Sequence, residues 1–119
     1  MDNLDFSYKL RIKILDKEKF FGEGVAALLE QVKQTNSLLK ASKNMSMAYT
    51  KALHIIQHAE AVLGYKLLER KAGGASGGGS HLTENAEKLL SIYRQFEKNV
   101  LAYTDKEFEN FIKKLGELK

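Results

Sequence analysis

The chain has 119 residues, enough for one domain with its own core but too few for a second full domain beside it. It has no cysteine, which excludes disulfides and zinc sites with thiolate ligands. The formal net charge is +4, and no apolar run is long enough for a membrane span or a signal peptide, so we expect a soluble cytoplasmic protein.

The positive charge is concentrated in the middle of the chain. Residues 1–36 carry six basic and six acidic side chains and residues 82–119 carry seven of each, whereas residues 37–81 carry six basic and two acidic ones. A basic centre between neutral flanks is typical of a surface that neutralises nucleic-acid phosphates. Charged stretches are more often simply solvated, so the charge pattern alone leaves both interpretations open.

The N-terminal residues alternate between apolar and polar side chains from Phe6 to Ile14, which is the period of a half-buried β-strand. Residues 16–19 form a polar turn, and residues 20–22 can return as a short second strand. The sequence therefore predicts an N-terminal hairpin over residues 6–23.

Three helices are predicted between residues 24 and 64, because apolar side chains recur there at spacings of three and four. The helices span about residues 24–33, 38–43 and 48–63, and Gly64 follows the last one at the usual position of a helix-ending glycine. The side chains expected in the core are Val25, Leu28, Leu29 and Val32 in the first helix, Leu38, Leu39 and Ala41 in the second, and Ala52, Leu53, Ile56, Ala59 and Leu63 in the third.

A glycine-dense segment follows the third helix. It lies between a strand predicted over residues 66–70 and a two-residue strand at His81 and Leu82. Glycines let a hairpin tip bend sharply and lie close to another backbone, of which a phosphate backbone is one example. A phosphate-binding nucleotide loop is disfavoured, since no Lys-Ser/Thr pair follows the last glycine. Three helices followed by this hairpin match a winged helix-turn-helix, with the wing at residues 65–83.

A long helix is predicted over residues 84–115, with Thr83 as its N-cap. Its apolar residues form a heptad-like seam that Glu107 interrupts. A small core cannot cover so long a seam, so we expect a homodimer through this helix; the alternative is that half of the seam folds back on its own domain. The seam consists of Leu89, Tyr93, Phe96, Val100, Tyr103, Phe108, Phe111, Ile112 and Leu115.

The expected fold class is therefore mainly α with small β-hairpins: a winged helix-turn-helix with a long C-terminal dimerisation helix, as a single domain over residues 1–119.

The residues from Ala48 to Glu60, those from Leu63 to Arg70, and the run GGASGGGSHLT resemble the N-terminal DNA-binding domain of the ModE family of molybdate-responsive transcription regulators. The frame LG…LLER…LT is shared more distantly with LysR-type helix-turn-helix proteins. The resemblance extends over about residues 8–103. It implies a sequence-specific transcriptional regulator that binds double-stranded DNA. Full regulators of this family carry C-terminal molybdate-binding modules, and the chain ends at Lys119 without them, so we expect no oxyanion sensing by these residues.

The chain departs from the family pattern at three positions. Ser46 occupies a turn position where relatives often carry glycine, Ala48 an N-cap position where they carry serine, and Leu53 a position where an aromatic residue is common. Either Ser46 caps the third helix instead, or the cap is simply weak at a cost of about 1 kcal/mol.

The candidate DNA-binding residues lie at the start of the third helix, at the start of the second helix and on the wing, where polar and basic groups can reach bases or phosphates. For the second helix, simple capping is the alternative, and Arg70 can instead pair with Glu69 or Glu84. The candidates are Ser37, Lys40, Tyr49, Thr50, Lys51, His54, Arg70, Lys71 and Ser76.

Other functions have less support in the sequence. His54 and His58 are four residues apart, a spacing that can hold a metal, but no third ligand lies nearby, so we expect no metal site. We find no nucleophile with a base and no paired carboxylates, so we expect no enzyme, no catalytic residues, no cofactor and no small-molecule site. A dimeric protein-interaction adaptor or co-regulator on the same fold is the alternative function. The operator sequence and the direction of regulation stay open.

Overall fold

The computed structural model describes residues 5–74 and 77–118 of the chain. The elements in chain order are β1 (Ile14–Asp16), β2 (Glu18–Phe21), α1 (Glu23–Thr35), α2 (Leu38–Asn44), α3 (Tyr49–Leu63), β3 (Leu68–Gly74), β4 (Gly77–Leu82) and α4 (Glu84–Gly116). β1 pairs with β2 and β3 with β4, as two separate antiparallel hairpins. The predicted fold class is confirmed: the molecule is mostly helical with two small hairpins, of which the second is the wing of a helix-turn-helix.

The N-terminal strand is shorter than the sequence predicts. The alternation predicts a strand over residues 6–14, but only Ile14–Asp16 pair with β2, and residues 5–13 form no regular element. The longer prediction is wrong because a strand needs a neighbour to complete its hydrogen-bond ladder, and within the described residues none lies beside this segment.

The segment before β1 packs against α4 instead. The Tyr93 hydroxyl donates to the backbone carbonyl of Ile12 at 2.9 Å. The Tyr8 hydroxyl donates to the Asp105 carboxylate, and the Tyr8 ring lies 4.7 Å from that of Phe108, centroid to centroid. The period-two pattern thus marks a segment with one side on a helix, where Tyr8 and Ile12 are half-buried.

The core forms between α1, α2, α3 and the start of α4. The stripe predicted for α1 is confirmed, since all four of its members are buried. In α2, Leu38 and Ala41 are buried, but Leu39 is 48% exposed, so its predicted core position is wrong. A seven-residue helix turns only one side inward, and Leu39 lies on the other. In α3 the fully buried residues are Ala52, Ile56 and Ala59, whereas Leu53 and Leu63 are half-buried.

Both ends of α3 follow from the sequence. Gly64 ends the helix in the left-handed region, with φ 83°, and donates its N–H to the carbonyl of Glu60. Ala48 is the N-cap and offers no side-chain hydrogen bond, so the weak-cap alternative holds. Ser46 lies in the preceding turn with φ 55°, a left-handed conformation that glycine adopts more readily.

β3 begins at Leu68, two residues later than predicted, and both strands of the wing extend further into the glycine-dense segment than predicted. Arg70 pairs with Ser80 and Lys71 with Gly79, so the ladder continues into the glycine-dense segment. The prediction that β4 comprises only His81 and Leu82 is wrong, because backbone pairing needs no side chains and glycine-rich segments can sustain it. The tip residues 75 and 76 lie outside the described residues.

A close approach of two backbones anchors the wing to the helical core. Asn36 ends α1 in a left-handed conformation, and its carbonyl accepts the N–H of Ser80 at 3.1 Å. A Cβ atom added at Gly79 would lie 2.5 Å from that same carbonyl oxygen. Glycine is therefore required at this position by the protein's own backbone.

The long C-terminal helix begins as predicted. The Thr83 hydroxyl accepts the N–H of Ala86 at 3.0 Å and donates to the carbonyl of Lys66 at 2.8 Å, so one side chain caps α4 and ties it to the wing. Only the first part of α4 is buried, at Ala86, Leu90 and Tyr93. At 33 residues the helix is about 50 Å long, so most of it extends beyond the core.

Arg94 fixes the first part of α4 against α1. Its guanidinium bonds Glu23 and Glu30 of α1 and Glu97 of α4 at 2.7–3.0 Å. Hydrogen bonding to Arg94 lowers the pKa of Glu23, and the same bonds raise the pKa of Arg94. Within residues 5–74 and 77–118, no helix is long and apolar enough to cross a membrane.

Candidate nucleic-acid interface

The start of α3 presents polar side chains away from the core. Thr50, Lys51 and His54 are exposed and Tyr49 is half-buried, whereas Ala52 on the same turn is fully buried. The helix therefore has its apolar stripe on the core and hydroxyl, ammonium and imidazole groups at its solvent-facing start. Such groups can donate hydrogen bonds to base edges and to phosphate oxygens.

The two candidates on α2 have different surroundings. The Ser37 hydroxyl accepts the N–H of Lys40 at 3.1 Å, so Ser37 is the N-cap of α2. Capping, the alternative considered for this position, is thus observed for Ser37. The Lys40 side chain is exposed, and no ion pair among the described residues involves it.

A hydrogen bond joins α3 to the wing. The Arg70 guanidinium, on β3, donates through Nη2 to the hydroxyl of Tyr49 at 2.8 Å. The ion pairs predicted as alternatives, with Glu69 or Glu84, are absent from the described part of the chain. The structure therefore brings together two candidate residues that are 21 positions apart in sequence.

Glu60 is a structural residue of this surface that the sequence reasoning missed. Its Oε2 accepts the backbone N–H of Leu67 at 2.7 Å and that of Leu68 at 3.3 Å, and its Oε1 lies 3.8 Å from the ammonium of Lys66. These bonds hold the start of the wing against α3. The available signal was its position four residues after the core residue Ile56, which places a carboxylate on the inward side of the helix.

The contacts of Glu60 affect the charge of the surface formed by α2, α3 and the wing. Of the two acidic residues in the basic middle of the chain, Glu60 is occupied by the wing backbone and by Lys66. Among the described residues, Lys40, Lys51 and Arg70 form no ion pair with a carboxylate. The exposed charge around α2, α3 and the wing is therefore predominantly positive.

A groove of about 460 Å³ separates α3 from the wing. It is lined by residues of α2, α3 and both wing strands, and Leu53 is one of them. A larger aromatic residue at position 53 would fill part of that space. Leu53 itself is half-buried, because one side of it borders this groove.

The structure gives less information on the remaining candidate residues of the wing and on the two histidines of α3. Lys71 belongs to β3, but its side chain lies outside what the structure describes, and Ser76 lies outside the described residues altogether. His58 Nε2 lies 3.4 Å from a carboxylate oxygen of Glu18 on β2. His54 is exposed. Among the described residues, no group of three His, Asp or Glu side chains is placed to hold a metal ion.

Curated proteins that are similar in sequence to the chain include three bacterial ModE proteins. It is 37% identical over 71 residues to the transcriptional regulator ModE of Haemophilus influenzae, a match that covers 60% of this chain and 28% of that protein. It is 36% identical over 67 residues to ModE of Yersinia pestis, covering 56% and 26%. It is 31% identical over 77 residues to the molybdenum transport protein ModE of Herbaspirillum seropedicae, covering 65% and 29%. The chain thus matches less than a third of the length of these relatives, and no family model matches it.

A solved structure confirms the fold. The crystal structure of the CbnR DNA-binding domain in complex with DNA superposes with a TM-score of 0.55 and 21% sequence identity, covering 71% of this chain and 91% of that one. The resemblance to ModE regulators and the winged helix-turn-helix fold are therefore confirmed.

Proposed function

We propose that the chain is the DNA-binding domain of a ModE-type transcriptional regulator and binds double-stranded DNA through α3 and the wing. The observation that carries this proposal is the hydrogen bond between Tyr49 and Arg70, which places the polar start of α3 and a basic wing strand side by side within a winged helix fold. The similarity to ModE proteins of three bacteria supports the same function. We also propose that residues 1–119 form a single domain.

The proposed binding mode assigns each part of the surface a role. The start of α3 enters the major groove, where Tyr49, Thr50, Lys51 and His54 contact base edges or nearby phosphates. The wing lies over the adjacent sugar-phosphate backbone, with Arg70, Lys71 and Ser76 near it. Lys40 and the N-terminus of α2 at Ser37 approach a further phosphate. Basic side chains without internal partners are suited to this role, since binding DNA then breaks no ion pair within the protein.

We further propose that two copies associate through α4. The seam on this helix leaves large apolar side chains in solvent, with Tyr103 68% exposed and Phe111 58% exposed. The alternative that half of the seam folds back on its own domain accounts for Tyr93, which is buried, and for Phe108, which packs against Tyr8, but leaves Tyr103 and Phe111 exposed. A two-fold dimer would present two copies of α3 to successive major grooves, about 34 Å apart on a roughly palindromic site.

Fluorescence anisotropy with labelled duplex DNA at two salt concentrations tests the DNA-binding proposal. We expect the binding constant K to fall as the salt concentration rises. In a plot of log K against log salt, each neutralised phosphate contributes about −0.9 to the slope. Failure to bind duplex DNA of any sequence at low salt, or binding without a salt slope, would refute the proposal. A dimer that is folded and binds no duplex would instead point to the adaptor function.

Sedimentation equilibrium tests the dimer. Changing Tyr103 and Phe111 together to aspartate should shift the protein to the monomer, because buried apolar contacts would be replaced by facing charges. Lys106→Asp is the matched control, since it introduces the same side chain on the same helix outside the seam. Equal association of all three proteins would contradict a dimer through this seam.

We also propose that the regulator serves molybdenum metabolism, because the relative from Herbaspirillum seropedicae carries the name molybdenum transport protein.

Selection of bound sites from a random duplex pool identifies the operator. The half-site spacing in the selected sequences would report the dimer geometry at the same time.

A further inference from the structure

The contact between Tyr49 and Arg70 has a specific geometry. Tyr49 is the first residue of α3, and Arg70 is the third residue of β3, so the hydrogen bond spans the gap between the recognition helix and the wing. The Tyr49 hydroxyl oxygen accepts from Nη2 of Arg70, which leaves the hydroxyl proton available for donation.

Arg70 has unused hydrogen-bonding capacity. A guanidinium carries five N–H donors, and within the described residues the bond to Tyr49 is its one side-chain hydrogen bond. Its side chain is exposed, and no carboxylate of the described residues pairs with it. The arginine is thus held by a neutral hydroxyl group, which leaves its charge uncompensated.

We infer that Tyr49 and Arg70 form a single phosphate clamp: Tyr49 orients the Arg70 guanidinium, and the two side chains together donate to one backbone phosphate of bound DNA. This inference rests on the proposed function. It makes Tyr49 a positioning residue for Arg70 as well as a donor, in place of the independent contacts that the sequence suggests.

The clamp couples the recognition helix to the wing. A guanidinium that is already held in place loses less conformational freedom on binding than a free arginine does, so part of the ordering cost is removed before DNA arrives. Because the holding group belongs to α3, a shift of the helix in the groove also moves the arginine on the wing. Affinity contributed by Arg70 therefore depends on the Tyr49 hydroxyl.

A double-mutant cycle in duplex binding tests the clamp, with Tyr49→Phe, Arg70→Ala and the two combined, on the full chain. Arg70→Ala should reduce the salt slope by about 0.9, as expected for one lost phosphate contact. Tyr49→Phe keeps all charges and should weaken binding about 3- to 10-fold, the range expected for one hydrogen bond. In the Arg70→Ala background, Tyr49→Phe should weaken binding clearly less than it does in the unaltered protein, because only the tyrosine's own bond to the phosphate is then lost and no guanidinium remains to be oriented.

Two further variants keep the test decisive. Tyr65→Phe removes the hydroxyl of a half-buried tyrosine that packs against the core between the end of α3 and the start of β3, outside the paired strands, and it should leave affinity unchanged. Arg70→Lys keeps the charge but loses the planar fork, so it should bind more weakly while retaining most of the salt slope. Thermal unfolding of each variant shows that it is folded; should Tyr49→Phe prove unfolded, the comparison of Arg70→Lys with Arg70→Ala carries the test.

The outcomes separate the clamp from the proposed function. If the unaltered protein binds duplex DNA with a salt slope but the two substitutions have independent effects, the clamp is wrong and the proposed function stands. Unchanged affinity of Arg70→Ala would also refute the clamp. If the unaltered protein binds no duplex at all, both proposals fail together.

Discussion

The close contact between Gly79 and Asn36 predicts that replacing Gly79 with alanine destabilises the protein. The same replacement at Gly24 should stabilise it. A Cβ at Gly79 would lie 2.5 Å from the Asn36 carbonyl oxygen, whereas a Cβ at Gly24, in the first turn of α1, would meet nothing within 4 Å. Gly79→Ala and Gly24→Ala therefore make the same chemical change in opposite steric surroundings.

The magnitude for Gly79→Ala follows from three contributions. The added methyl group must move about 1 Å away from the carbonyl oxygen to reach an ordinary contact distance, and overpacking of this kind costs about 1–3 kcal/mol. The movement stretches the bond from Ser80 N–H to the Asn36 carbonyl, now 3.1 Å long, which is worth about 1 kcal/mol. Alanine also reduces the conformational freedom of the unfolded chain, which stabilises the folded state by about 0.4–1 kcal/mol. We expect a net loss of about 1–3 kcal/mol.

Gly24→Ala should have the opposite effect. Alanine in a helix is favoured over glycine by about 0.5–1 kcal/mol, and the space around the position is open. Urea unfolding followed by circular dichroism measures both variants against the unaltered protein. In thermal unfolding, each kcal/mol corresponds to a shift of roughly 4 °C for a chain of this size. If Gly79→Ala is as stable as the unaltered protein, or gains stability as Gly24→Ala does, the close approach of the wing to α1 is wrong.

Three further predictions concern the attachment of α4. Because hydrogen bonding to Arg94 lowers the pKa of Glu23, the stability from this pair is present above the ordinary value of 4.5 and is lost as the pH falls through the lowered value. Arg94→Ala should therefore cost about 1–2 kcal/mol in urea unfolding at pH 7 and progressively less below pH 4.5, and a cost independent of pH would contradict the ion pairs. The hydrogen bond to Asp105 raises the pKa of Tyr8 to about 12, so its contribution is present below the ordinary value of 10 and is lost as the pH rises toward 12. In an ultraviolet titration of the tyrosines, Tyr8→Phe should remove the ionisation near pH 12, and an unchanged curve would argue against this contact. Thr83→Ala removes the cap of α4 and its bond to the wing, so we expect a loss of about 1–2 kcal/mol in thermal unfolding, and a loss below about 0.3 kcal/mol would show that the cap is not needed.

The helices were predictable because their signals are local. Side-chain periodicity predicted α1, α3 and α4, and the ends of α3 and α4 follow from residues whose effect depends on their own backbone, namely Gly64 and Thr83. The exposed face of α3 follows from the same periodicity, since the residues outside the apolar stripe must face solvent.

The features that the sequence did not predict depend on partners distant in the chain. The alternation from Phe6 to Ile14 indicates one apolar side but does not say whether a strand or a helix covers it, and here α4 does. The glycine composition of the wing predicts a loop, although backbone pairing carries β3 and β4 through most of it. Glycine is required at position 79 because of the carbonyl of Asn36, 43 positions earlier, and no local sequence pattern indicates this requirement.

The candidate DNA surface shows the same division. Its location could be predicted from the basic middle of the chain and from the helix-turn-helix spacing. Its internal contacts could not be predicted. Arg70 has carboxylates nearby in sequence but bonds the hydroxyl of Tyr49, and Glu60, one of the two acidic residues in the basic middle of the chain, holds the wing against α3. Which of two available partners a side chain selects is decided by the packing of the elements that carry them.

Charge reversal on α3 tests DNA binding through this surface most directly. Lys51 lies at the exposed start of α3. Lys106 lies on α4, about 33 Å from the end of that helix that is next to the wing, so Lys106→Glu makes the same charge change away from the proposed DNA surface. In duplex titrations over a range of salt, Lys51→Glu should weaken binding more than tenfold and reduce the salt slope by about 1, whereas Lys106→Glu should stay within about twofold of the unaltered protein. Equal effects of the two substitutions, or unaltered binding by Lys51→Glu, would show that DNA does not lie against α3.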